Sequence, residues 1–111
     1  MDRNDEYRSI VKWVLQKVAE MTPSDENVTT ELVCDDALGH YQLGQMGWEG
    51  KQRVDMVFLH IDVWEDKVWL QHDGTDLCIA EDLVSAGIPK EHIVLGFRYP
   101  SRRPDTEYAV A

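Results

Sequence analysis

Over the first stretch of the chain, apolar residues recur at three- and four-residue steps: Tyr7, Ile10, Val11, Val14, Leu15 and Val18, with Arg8, Lys12, Gln16 and Lys17 between them. That spacing gathers one apolar stripe on an α-helix and predicts a helix over Arg3 to Met21, with Trp13 beside the stripe. Asp2, Asp5 and Glu6 suit the positive end of its dipole, and Thr22-Pro23-Ser24 ends it because proline cannot continue the ladder. From Asn27 the period falls to two, and Val28, Thr30, Leu32 and Cys34 alternate with Thr29, Glu31 and Val33 as in a strand. After a turn over Asp35 to Gly39, His40 to Trp48 reads as a second strand, bent where Gly44 and Gly47 lack side chains. Glu49-Gly50-Lys51-Gln52 reverses the chain into a third strand, Arg53 to Trp64, and a fourth, Lys67 to His72.

The pattern breaks again at Asp73-Gly74-Thr75-Asp76. A second helix follows with Leu77, Ala80, Leu83 and Val84 on one face, capped by Thr75 or Asp76 and stopped by Gly87 and Pro89. Pro89 to His92 adds a short turn before the apolar Ile93-Val94-Leu95, and Phe97 to Ala111 is an irregular tail. The order α-β-β-β-β-α predicts an α+β fold: a four-stranded antiparallel meander with both helices packed on one face. One domain spans residues 1–111, since a chain of this length has room for a single core.

The third and fourth strands are joined by Glu65-Asp66. If these form a two-residue turn, Val63 faces Val68 and Ile61 faces Leu70 on an aliphatic side. His60, Asp62, Trp64, Trp69, Gln71 and Asp73 then share the other side, the one left uncovered by helices. Two indoles among polar groups carry too much apolar area for bare solvent, so these residues form the candidate interface, for a second copy of the chain or for another protein.

Charge narrows the choice of partner. The formal net charge is −10, and a small acidic domain is repelled from phosphates at long range, so direct nucleic-acid binding is disfavoured and a basic protein partner favoured. No apolar run is long enough to cross a bilayer, and the charged start lacks a secretory apolar core, so the expected location is the cytoplasm. Cys34 and Cys78 show no metal or redox spacing and are expected as reduced, mostly buried thiols.

Few residues suggest chemistry. His60, Asp62, His72 and Asp73 are the types that hold a metal or move protons, but with the turn at Glu65-Asp66 His72 falls opposite Leu59, on the aliphatic side, away from His60 and Asp62. Hydrogen-bonded structural or interface groups are therefore expected, with no metal, no cofactor and no catalytic residue; a small metal-dependent enzyme using His60 and Asp62 is the competing reading. Asp73-Gly74-Thr75-Asp76 has no Walker lysine, and its two aspartates repel anions, so it is read as a cap rather than a phosphate loop. Arg98, Arg102 and Arg103, with Tyr99 and Tyr108, form the one basic-aromatic cluster, and direct DNA contact through that tail is a third reading.

Several segments carry a resemblance: Leu59-His60-Ile61-Asp62, then Val68-Trp69-Leu70-Gln71-His72-Asp73-Gly74-Thr75, then Ile88 to Phe97, with Met1-Asp2-Arg3, Tyr7-Arg8, His40-Tyr41-Gln42-Leu43 and Gly47-Trp48. In order and spacing they resemble the XisI family of fdxN-element excision controlling factors, over nearly the whole chain. The resemblance implies a non-enzymatic accessory role in programmed DNA excision and site-specific recombination in cyanobacteria. It also implies a companion, an XisH-like protein, and it assigns no catalytic role to these residues.

Overall fold

The computed structural model describes residues 2–23 and 25–111; Met1 and Ser24, named above in the opening segment and the helix stop, lie outside the described residues. Helix α1 spans Arg3–Met21, as the periodicity predicts, and buries Tyr7, Val11, Val14, Leu15 and Val18. Asp2 caps it by accepting from the Asp5 amide at 2.9 Å, and at the far end the Thr22 hydroxyl donates to the Val18 carbonyl at 2.7 Å. Trp13 lies outside the stripe, largely exposed, with the Lys17 ammonium over its ring.

Strands β1 (Val28–Asp35), β2 (His40–Glu49), β3 (Gln52–Trp64) and β4 (Lys67–Asp73) form the expected antiparallel meander. The sheet nevertheless has five strands, not four. After helix α2 (Ile79–Ser85) and a 3-10 turn, η1 (Lys90–His92), the segment Ile93–Leu95 becomes β5 and pairs in parallel with β4. The order is therefore α-β-β-β-β-α-β, and the last crossover supplies the connection that a parallel pair requires. A second 3-10 turn, η2 (Pro100–Asp105), interrupts the tail.

One core lies between α1, α2 and a single face of the sheet. Tyr41 and Leu43 from β2, Leu59, Ile61 and Val63 from β3, and Val68 and Leu70 from β4 supply that face. Helix α2 contributes Ile79 and Leu83, and Leu77, expected on its apolar face, precedes it and is exposed. Neither Thr75 nor Asp76 caps this helix: its N-cap is Cys78, without a side-chain bond, and Thr75 instead donates to the Asp73 carboxylate. Cys34 and Cys78 are free thiols as expected, but both are exposed rather than buried.

The β3–β4 connection is the two-residue turn at Glu65-Asp66, with Val63 opposite Val68 and Ile61 opposite Leu70. Both turn residues have positive φ, 52° and 63°, the conformation of a type I′ turn that favours Asn and Gly. Asp66→Gly is expected to stabilise the fold by roughly 0.5–1 kcal/mol, relief of backbone strain exceeding the entropy that glycine adds to the unfolded chain. The Asp66 amide still donates to the Asn4 side chain in that variant, so a urea midpoint unchanged or lowered would count against the strain.

Candidate functional site

Two bulges decide what stands on the sheet face away from the helices. Between β2 and β3 the register changes at Leu43/Gly44, where Phe58 is the extra residue; between β3 and β4 it changes at His60/Ile61, where Gln71 is extra. The first places His40 opposite Asp62. Without it, the register of the hairpin end would put His40 opposite Ile61, on the wrong face. The second places His72 opposite His60 and Asp73 opposite Leu59.

These shifts correct two expectations. His72 is not on the aliphatic side: it is exposed and paired with His60. Asp73 leaves the indole-bearing face for the side of buried Leu59, where its carboxylate accepts from the Thr75 amide and hydroxyl at 2.9 and 2.6 Å.

His60, Asp62, Trp64, Trp69 and Gln71 do share the face away from the helices, and the structure adds His40 to them. The His40 Nδ1 lies 2.8 Å and the His60 Nε2 2.7 Å from the same oxygen, Asp62 Oδ1, while the Gln71 amide donates to Oδ2 at 3.1 Å. The two imidazoles meet edge to face with centroids 6.2 Å apart. Asp62 is only 8% exposed, so a carboxylate is held out of water by three polar side chains. His40 stands in one of the segments that resemble the family, but its sequence context points to no chemistry, because its meeting with Asp62 depends on a bulge that no local pattern announces.

The bond to the Asp62 carboxylate raises the pKa of His40, with the charge of Asp62 adding to the effect, burial opposing it and the charge of Asp35 contributing least. In an NMR titration of chelator-treated protein, His40 is expected to titrate above an ordinary histidine and to fall back toward that value in Asp62→Asn. A His40 midpoint unchanged by the substitution would mean that the carboxylate does not hold the ring.

Beside this cluster Trp64 stacks on Trp69, ring centroids 6.0 Å apart and planes inclined by 26°, from diagonal positions of the hairpin. Trp64 is 48% exposed. Trp69 is half-buried because the chain's own tail folds over it: the Arg103 guanidinium lies 5.5 Å from its ring and hydrogen-bonds the Arg98, Val110 and Gly96 carbonyls. The tail also runs along β5, where the Ala109 amide donates to the Ile93 carbonyl and Val94, paired with Trp69, becomes fully buried. The face is thus covered at its β5 end by residues of the same chain and uncovered from Trp64 across to β1. There the register sets Val33, Met46 and Val57 on the same side, all substantially exposed.

The match to the protein-family model described as "XisI protein" runs over residues 1–110. The chain belongs to the XisI family. Two solved XisI-like structures share the fold. One, a XisI-like protein from Anabaena variabilis, is 39% identical with a TM-score of 0.93, over 97% of this chain and 99% of that one. The other, from the same organism and described as fdxN element excision controlling factor XisI, is 33% identical with a TM-score of 0.87, over 99% of this chain and all of the other. No curated protein matches the sequence significantly. The mixed α+β fold with its sheet of five strands matches these XisI-like structures. The family is named for a controlling factor, a regulatory description rather than a catalytic one. No described helix is long and apolar enough to cross a membrane.

Proposed function

We propose that this chain is a non-enzymatic controlling factor for programmed DNA excision, acting through protein contacts made by the uncovered part of its sheet. The observation that carries the reading is the half-exposed Trp64, stacked on a fixed Trp69, on the same uncovered face as the exposed Val33, Met46 and Val57. A preordered indole on a face that also exposes aliphatic side chains suits a protein interface, where aromatic side chains dominate affinity. Family membership supplies the process, since a relative of the same fold is described as an fdxN element excision controlling factor.

Two occupants fit this face, a second copy of the chain and an XisH-like companion. The charge of −10 opposes the first at low salt and favours a companion with a basic contact surface. The same charge argues against DNA contact by the tail. Arg103 is already committed to Trp69 and three carbonyls, and Arg98 lies over Phe97, which leaves Arg102 as the tail arginine without such a partner among the described residues. Co-expression with an XisH-like protein is the test: one complex is expected to survive gel filtration at micromolar concentration. Two folded proteins eluting apart would overturn the companion.

A further inference from the structure

Asp62 is the buried charged side chain of the described residues, and no lysine or arginine approaches it: its partners are His40, His60 and Gln71. A carboxylate taken out of water calls for a compensating cation, and the groups aimed at this one are imidazoles, the commonest metal ligands among side chains. We propose that His40 Nδ1, His60 Nε2 and Asp62 Oδ1 form a binding site for a divalent first-row transition-metal ion, a two-histidine, one-carboxylate set with positions left open toward solvent.

The geometry brings the three ligand atoms together. The three ligand atoms lie within 4.8 Å of one another, with nitrogen-to-oxygen separations of 2.8 and 2.7 Å. Bonds of about 2.1 Å separate ligand atoms by about 3.0 Å at right angles and about 3.4 Å in a tetrahedral set, so the ion enters when each nitrogen-to-oxygen contact opens by about 0.2–0.7 Å. Each imidazole then carries its proton on its other ring nitrogen and offers the ion a lone pair in place of the N–H now given to Asp62.

The scaffold holds these groups in place. His60 and Asp62 are two residues apart on β3, and His40 stands directly across on β2, so the three share one face of a paired ladder. Gln71 grips the second oxygen of Asp62, the outer-sphere contact by which ligating carboxylates are oriented. The His40 side chain is half exposed, which gives an ion a way in and lets the ring turn to meet it. Nothing in the set requires a protein partner, so the site stands or falls independently of the proposed excision role.

The test is calorimetric titration of the full, chelator-treated chain with zinc chloride, with cobalt(II) absorption as a second readout. One equivalent of zinc is expected to bind saturably, and cobalt(II) to develop ligand-field bands that zinc displaces. His40→Ala and His60→Ala should each weaken zinc binding at least ~10-fold and Gln71→Ala by about 10-fold, while His72→Ala, the exposed neighbour, changes nothing. No saturable zinc binding would overturn the proposal, and so would saturable binding unaffected in both the His40 and the His60 variants. Because His40 is half exposed, its alanine variant is expected to fold and keeps the test decisive even if Asp62→Asn does not.

Discussion

Gly39→Ala is expected to cost about 3–5 kcal/mol of stability and to lower the melting temperature by more than ~10 °C. Gly39 has φ +74°, where L side chains are strained, and a Cβ there would lie 2.2 Å from the Val63 carbonyl oxygen. That atom is backbone near the end of β3, in a residue paired with Val68, and cannot swing aside as a long side chain would. The glycine is also bonded on both sides: its amide donates to the Asp35 carbonyl at 2.8 Å, and its carbonyl accepts from the Val63 amide at 2.8 Å. Any shift that makes room for the methyl group therefore breaks the start of β2, which is where His40 is set against Asp62. Calorimetric melting checks this directly, and a midpoint within a few degrees of the parent would mean that the turn relaxes without disturbing β3.

Trp64→Glu is expected to weaken association through the sheet face by at least ~30-fold while leaving the fold in place. The side chain is half exposed and contributes nothing to the helix-side core, so the folded chain loses chiefly its stack on Trp69, about 1 kcal/mol. A carboxylate at the centre of an apolar contact loses its hydration unless the partner supplies a cation, and that penalty falls on the complex alone. Circular dichroism and melting should therefore report a near-parental fold where gel filtration reports lost association. Unchanged elution of the associated species would mean that association does not use this face.

Much of the architecture was legible because it rests on local periodicity. Helix α1 has the predicted bounds, the four antiparallel strands start and end within a residue of the expected positions, and the Glu65-Asp66 turn pairs Val63 with Val68 as its length implies. What escaped depends on contacts distant in sequence. Ile93–Leu95 is a three-residue apolar run with no alternation, because the core buries one side and the tail covers Val94 on the other, so its pattern does not announce a strand. The bulges at Phe58 and Gln71 are equally silent, yet each shifts every later pairing by one residue and so exchanges the faces. That is why Asp73 was expected on the candidate interface, His72 was expected off its face, and His40 was missing from the group around Asp62. The tail, read as irregular and basic, turned out to use Arg103 as a clamp on Trp69. Half of the indole pair is thereby fixed from within the chain, and Trp64 is left as its accessible member.

Sedimentation velocity of the chain alone at micromolar concentration, across a series of salt concentrations, is the most direct measurement of whether that accessible face seeks a second copy. A species heavier than the 12.8 kDa monomer is expected, its population rising as added salt screens the charge of −10 on each chain and falling to monomer in Trp64→Glu. Sedimentation as a 12.8 kDa monomer at every salt concentration would contradict self-association through the Trp64 face.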